Sequence, residues 1–268
     1  MFSKILLTGA AGGLGQVLRD SLKPFCHTLR LSDIAAMAPA QDREEVVPCQ
    51  LSDKQAVDDL VQGCDAIVHF GGVSVERSFE EILGANIQGV YNIYEAARRH
   101  GVQRVVFASS NHVVGFHRQD AFLQTDCARR PDGYYGLSKS FGEDVSRFYF
   151  DRYGIQTACI RIGSSFPEPK DHRMLITWLS YGDLAELVRL HAPAAAHQAR
   201  QPQLTWQGIQ CGAGLHHTGC VREIGAGTSA SDSSTGRAAK PASAACSRCD
   251  RSDKRAMRRR SGSRLCSA

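Results

Sequence analysis

No apolar run in these 268 residues approaches the ~18 that a membrane-crossing helix needs, so the chain is not expected to span a bilayer. The opening Met1-Phe-Ser-Lys-Ile-Leu-Leu-Thr-Gly9 also leaves no room for a secretory apolar segment, because it runs straight into a glycine motif. It reads as a first strand, and a cytoplasmic protein is expected. An excess of positive charge is missing from most of the chain. The net charge is +5, but 12 of the 32 Lys/Arg and only 4 of the 27 Asp/Glu lie beyond residue 190. The first 190 residues thus hold 20 basic and 23 acidic side chains, a net of −3, and no nucleic-acid-binding surface is expected there. Paired cysteine spacings are scarce as well. Cys26, Cys49, Cys64, Cys127 and Cys159 stand singly beside apolar stretches and read as reduced, small hydrophobes. Cys246-Ser-Arg-Cys249 has the spacing of half a zinc site or a redox pair, but neither a second Cys/His pair nor a strand-helix context accompanies it, so no metal or redox function is expected.

What is present is an alternation. Short β-rich runs at 4–8, 28–32, 45–49, 66–70, 104–108 and 157–162 are separated by helical patterns at 14–22, 54–61, 79–100 and 135–152. One further helix is expected from 171–178 onward, continuing near 184–190. This order predicts an α/β chain, a Rossmann-type doubly wound parallel sheet covered on both faces. Runs such as Ala66-Ile-Val-His-Phe70 suit strands buried on both sides.

Two motifs give the alternation a chemistry. Thr8-Gly-Ala-Ala-Gly-Gly-Leu-Gly15 lies between the first strand and first helix, the setting in which Gly9-x-x-Gly12-x-x-Gly15 binds a dinucleotide. Gly9 permits the tight turn, Gly12 and Gly13 let the backbone approach a pyrophosphate, and Gly15 permits close helix packing. Asp33 closes the second strand, where its carboxylate can accept from ribose hydroxyls and would repel a 2′-phosphate, so NAD is favoured over NADP. The alternative for Asp33 is a loop cap. His69-Phe-Gly71-Gly72 ends the fourth strand with glycines again. Further on, Tyr135-Gly-Leu-Ser-Lys139 puts a phenol and an ammonium on one helix face. The ammonium, with a cationic nicotinamide ring, favours phenolate, so Tyr135 can take a proton from a substrate hydroxyl while hydride leaves the same carbon. Ser109 or Ser110, after the fifth strand, can hold the developing alkoxide. Tyr134 is five residues from Lys139 and turns off that face.

These motifs resemble the extended short-chain dehydrogenase/reductase superfamily, and the likeness continues through Asn86-Ile-Gln-Gly-Val-Tyr-Asn-Ile-Tyr-Glu-Ala-Ala. It is closer still to the bacterial uronate dehydrogenases, on Gly71-Gly-Val-Ser-Val-Glu76, Phe107-Ala-Ser-Ser-Asn-His112, Arg130-Pro-Asp-Gly-Tyr-Tyr-Gly-Leu-Ser-Lys139, Arg161-Ile-Gly-Ser-Ser-Phe-Pro-Glu-Pro169 and Arg173-Met-Leu. The resemblance implies NAD-dependent oxidation of the C1 hydroxyl of cyclic galacturonate or glucuronate to an aldarolactone. It implies that Ser74, Ser110, Asn111, His112 and Ser165 contact sugar hydroxyls and that Arg173 meets the uronate carboxylate. Arg has the planar fork for that task, and Ser, Asn and His carry the mixed donors and acceptors a pyranose needs. Taken singly, Ser74 also fits a turn cap, His112 a loop histidine and Arg173 a solvated helix start. The resemblance adds Leu14, Ile34, Gln50, Leu51, Phe70, Ile162, Ser164 and Lys139 to the dinucleotide contacts. Where the family has Asp-Leu after the third strand, Gln50-Leu51 stands here, and Gln can still accept from the adenine amino group. The superfamily's habit of pairing two long helices across a two-fold implies a homo-oligomer through 79–100 and 135–152.

Beyond residue 190 the apolar pattern stops. Pro193-Ala-Ala-Ala196 and the Arg/Ser-rich end cannot bury enough apolar surface to offset ordering entropy, so 191–268 is expected to be a low-order basic tail after a catalytic domain at 1–190. The family continues instead with another strand and elements that complete the substrate side. Arg, Ala, Gly, Ser and Cys rising together is the composition expected of an out-of-frame reading of a GC-rich gene, which resequencing around codon 190 checks. Two other readings stay open: a sugar-nucleotide epimerase or dehydratase of the same superfamily, and an inactive truncated dinucleotide-binding relic.

Overall fold

A computed structural model of the chain describes residues 1–191, apart from the Arg173 side chain, and the backbone of 207–210. β1 (Phe2–Thr8) is followed by α1 (Gly13–Leu22), β2 (Cys26–Ser32), β3 (Glu44–Val46), α2 (Lys54–Val61) and β4 (Ala66–His69). The second half carries α3 (Phe79–Ile82), a π-helical turn (Leu83–Gln88), α4 (Gly89–Arg99), β5 (Arg104–Ser110), α5 (Tyr134–Tyr153) and β6 (Gln156–Ile162). α6 (His172–Ile176), α7 (Tyr181–His191) and β7 (Gln207–Gln210) complete the described elements. The strands form one parallel sheet in the order β3-β2-β1-β4-β5-β6-β7, as the alternation of strands and helices predicts. The order reverses between β1 and β4, and ligands of such sheets sit in the crevice at the strands' carboxyl ends there.

Helices cover both faces because the strands are apolar on both. Ile5 and Leu7 pack with Leu18 and Leu22 of α1 and with Leu184, Leu187 and Val188 of α7. Leu6, Ile67, Val105 and Phe107 pack with Val57 and Leu60 of α2, Ile93 and Tyr94 of α4, and Tyr149 of α5. Truncating one of these fully buried leucines to alanine would cost about 2–5 kcal/mol. α5 lies especially close to the sheet, since a Cβ on Gly142 would overlap the Phe107 ring. Cys26, Cys49, Cys64 and Cys159 are buried and Cys127 is half-buried, all of them outside any disulfide, in line with their reading as small hydrophobes. Among the described residues no helix is long and apolar enough to cross a membrane.

Three local expectations need correcting. The third strand ends at Val46 rather than residue 49, because Pro48 has no N–H to extend the ladder. The helical pattern at 79–100 contains a π turn where a regular helix was expected. The single helix from 171 is two, α6 and α7, separated where Ser164 pairs with Trp178 and its N–H donates to the Thr177 carbonyl at 2.9 Å. Residues 207–210 pair as β7 beside β6; the remainder of the stretch expected to be mostly without order, and Cys246 and Cys249 with it, lies outside the described residues.

Candidate active site

The carboxyl ends of β1, β2, β4, β5 and β6 open into one cavity of about 1340 Å³, above the roughly 300–1,000 Å³ typical of a single-ligand cleft. At its floor the β1–α1 turn is tight. Gly9 has φ +73°, and a Cβ there would sit 2.5 Å from the Phe70 carbonyl. A Cβ on Gly15 would overlap the Gly9 carbonyl oxygen, so the helix can start this close only with glycine. α1 has no side-chain cap from Gly12 and no acidic residue in its first turn. Its first N–H groups and the positive end of its dipole are therefore left for an anion. Asp33 lies beside this turn, accepting from the Ala11 N–H (3.0 Å) and the Ala35 N–H (3.1 Å). Each carboxylate oxygen keeps a lone pair for a further donor. A dinucleotide fits this cradle.

Deeper in the cavity, α5 presents Tyr135 and Lys139 on one face. Lys139 is buried; its Nζ donates to the Ala108 carbonyl at 2.8 Å and stands 5.7 Å from the centre of the Tyr135 ring. Burial pushes the Lys139 ammonium down to about 8, so it stays mostly cationic at neutral pH. Burial pushes the Tyr135 phenol up, and a hydrogen bond with Ser110 works in the opposite direction. Without its cofactor the phenol is thus held protonated. The two serines ending β5 separate, as neighbours on a strand must. Ser110 meets Tyr135, whereas Ser109 Oγ donates to the buried Glu143 carboxylate at 2.6 Å.

Glu143 is itself the centre of a buried network. Arg161 of β6 binds it through two N–H groups, each at 2.8 Å, and reaches the Thr125 carbonyl with its other nitrogen. Such a pair locks α5 to β5 and β6, because leaving either charge alone in the core would cost about 3–5 kcal/mol. His112, edge-on to Tyr135 at 5.6 Å, has its Nδ1 held by Asp132 at 2.9 Å. Asn86, in the π turn, accepts from the Val73 N–H (2.8 Å) and donates to the Ser138 hydroxyl (3.0 Å). Glu76, from the loop after β4, accepts the Tyr134 N–H at 2.8 Å and the Tyr135 N–H at 3.0 Å.

The residues anticipated from sequence converge. Tyr135, Lys139, Ser109 and Ser110 line the cavity with Gly9, Gly12, Gly13, Leu14, Gly15, Asp33, Ile34, Gln50, Leu51, Phe70, Gly71, Gly72, Ile162 and Ser164. Ser74, Asn111, His112 and Ser165 line it too. Ser165 Oγ is buried without a protein partner, an orphaned donor in the wall of a polar site. Arg173 is the second residue of α6, but its side chain lies outside the described residues. Tyr134 points away, half-exposed against Phe79. Glu76, Asn86, Asp132, Glu143 and Arg161 were not singled out, since each works through a partner distant in sequence. Tyr181 also lines the cavity without having been anticipated.

A parallel sheet with a glycine cradle at its switch point and a half-buried Tyr135 over a buried Lys139 beside it defines an NAD-dependent oxidoreductase. The chain belongs to the NAD dependent epimerase/dehydratase family, which it matches over residues 5–181. It is 66% identical over 199 residues to a uronate dehydrogenase of Pseudomonas syringae pv. tomato, covering 73% of this chain and 72% of that one. A uronate dehydrogenase of Agrobacterium fabrum is 54% identical over 185 residues, 69% of this chain and 70% of the other. Among solved structures, the uronate dehydrogenase from Agrobacterium tumefaciens superposes with a TM-score of 0.73 at 48% identity, covering 78% of this chain and 76% of its own. A mutant of the same enzyme complexed with NAD gives 0.72. The glucuronic acid dehydrogenase from Chromohalobacter salexigens matches with a TM-score of 0.73 at 42% identity, over 87% of this chain and 92% of that one. The cofactor is NAD.

Proposed function

We propose that the chain oxidises a hexuronate, galacturonate or glucuronate, at its C1 hydroxyl to the corresponding aldarolactone. The observation that carries this reading is the convergence of Ser110, Tyr135 and Lys139, with Lys139 Nζ 5.7 Å from the Tyr135 ring centre, on a cavity roomy enough for a sugar acid beside a dinucleotide. The similarity to enzymes named for uronate supplies the substrate class.

In the pyranose form C1 carries a hydroxyl and a hydrogen. The C1–H bond breaks with both electrons leaving as hydride, the O–H proton passes to Tyr135 Oη, and the C1–O bond becomes a carbonyl within the ring. NAD, when bound, is the hydride acceptor. Ser110 Oγ donates to the C1 oxygen as charge builds there, and Lys139 favours the phenolate form of Tyr135. Ser74, Asn111, His112 and Ser165 are assigned to sugar hydroxyls and Arg173 to the carboxylate. Asp132 fixes the tautomer of His112 through Nδ1, which leaves Nε2 for the substrate.

The test is NADH formation at 340 nm with galacturonate and glucuronate, for this chain and a Tyr135→Phe control. Stoichiometric NADH release supports the dehydrogenase reading. A nucleotide-sugar substrate turned over without net NADH would replace it with an epimerase or dehydratase. Aggregation with no thermal shift on adding NAD would support the relic.

A further inference from the structure

The helix that carries Tyr135 and Lys139 has no local cap. Its N-cap is Gly133, without a side chain, and its first turn contains no acidic residue. The missing cap comes from 58 residues upstream, where both oxygens of Glu76 accept the first two N–H groups of α5, one of them that of Tyr135 itself. Gly133 makes this approach feasible. Its φ of −170° is extended backbone that any residue adopts, so conformation does not call for glycine there. A Cβ, however, would overlap Glu76 Oε2.

The loop bearing Glu76 is tied to α5 a second time. Asn86 clasps Val73 through both its N–H (2.8 Å) and its carbonyl (3.0 Å), and the same amide donates to Ser138, whose hydroxyl donates to the Tyr135 carbonyl at 2.7 Å. The two tethers bracket Ser74, which lines the cavity between them. A carboxylate at a helix N-terminus is favoured by the dipole and by charge-assisted hydrogen bonds, so this contact is a stable one.

We propose that Glu76 is a positioning residue, holding the Ser74 loop and Tyr135 in one rigid unit so that the sugar and the base keep a fixed separation. The proposal rests on Tyr135 being the base of a hexuronate dehydrogenase. Glu76 touches no reacting atom. Its loss lets the loop move relative to the first turn of α5, while the dinucleotide cradle on the β1 side stays as it is.

The experiment compares Glu76→Gln, Glu76→Ala, Gly133→Ala and the Glu76→Ala/Gly133→Ala double variant in the full chain. Readouts are steady-state kinetics with galacturonate and NAD, NAD titration, and hydrogen exchange of the Tyr134 and Tyr135 amides. We expect kcat to fall about 10- to 100-fold in Glu76→Gln, as displacements near 1 Å do, with a raised KM for the uronate. The KM for NAD should stay within about two-fold, and both amides should exchange faster. Gly133→Ala should resemble Glu76→Ala, and the double variant should be no worse than either, because removing the carboxylate removes the clash. Unchanged kcat with undiminished amide protection, or additive losses in the double variant, would overturn the proposal. Should the parent chain turn over no uronate, the functional reading fails by itself. The amide exchange and its non-additivity then still decide the role of Glu76.

Discussion

Ser109 and Ser110 are adjacent on β5, yet their hydroxyls serve different networks: Ser109 Oγ is bonded to Glu143 at 2.6 Å, while Ser110 meets Tyr135. Substituting each should therefore fail in a different way. Ser110→Ala is expected to lower kcat by about 10²–10³, as for loss of an oxyanion donor, with about 0.5–2 kcal/mol of stability lost because Ser110 Oγ also caps the His112 N–H at 3.2 Å. Ser109→Ala leaves a buried carboxylate short of a donor and should cost about 1–3 kcal/mol of stability with kcat largely retained. Parallel kinetics and thermal unfolding check both, and a larger kinetic loss for Ser109→Ala would reverse the assignment.

Tyr135→Phe should bind NAD normally and lose at least about 10²-fold in kcat, within the range for removing a general base. Because burial holds the phenol above its ordinary value, the base is protonated at neutral pH in the free chain. The rate of the parent should accordingly climb as pH rises, with its limb on the alkaline side. A kcat/KM profile flat between pH 7 and the ordinary phenol value of ~10 would contradict this account.

Lys139→Met should yield a dead but more stable protein. Burial depresses the folded-state value of Lys139 to about 8, against ~10.4 for a free lysine. Between these two values the unfolded chain binds the extra proton, so stability rises with pH across that window. Below it the folded state bears the full penalty of a buried ammonium, which methionine removes. The gain, on the order of 1–3 kcal/mol, should be greatest below pH 8 and disappear above ~10.4. Melting curves of the two proteins at pH 7 and above pH 10 measure it. A variant less stable than the parent at pH 7 would mean that the lost bond to the Ala108 carbonyl outweighs desolvation.

Asp33→Asn should shift cofactor choice toward NADP. The carboxylate accepts from the Ala11 and Ala35 amides and keeps acceptor capacity toward the cavity. Asparagine retains one acceptor but drops the charge that repels a 2′-phosphate. The ratio of kcat/KM for NAD to that for NADP should fall by about 10-fold or more, the scale of one charge-assisted hydrogen bond. An unchanged ratio would assign Asp33 to capping the turn alone.

Those features were legible in the sequence whose signal is local. The glycine turn, Asp33 at a strand end and the four-residue spacing of Tyr135 and Lys139 each follow from a short window and a known backbone geometry. The α/β alternation located six strands because Leu, Ile and Val crowd into them. The choice between Ser109 and Ser110 was beyond reach, since it depends on which strand face meets Glu143 and Arg161, residues brought together only by packing. Glu76 and Asn86 were hidden for the same reason: their partners lie 58 and 52 residues away. β7 left little trace, as Gln207-Gly-Ile-Gln210 holds a single aliphatic residue. The break between α6 and α7 comes from Ser164 capturing Thr177 and Trp178, a contact that no helical periodicity announces.

The π turn at Leu83–Gln88 gives this site a vulnerability that no substitution reproduces. Such a turn accommodates one residue more than regular helix would. Deleting Ile87 or Gln88, just after Asn86, would let the backbone relax into an ordinary α-helix, improving local hydrogen bonding while rotating what precedes it by roughly 100°. Asn86 would swing off Val73 and Ser138, while the glycine cradle and the Tyr135/Lys139 pair would be untouched. A length difference of one residue in this helix, rather than any change in the Tyr/Lys pair, is thus the mark by which to tell a relative that has lost its loop clamp.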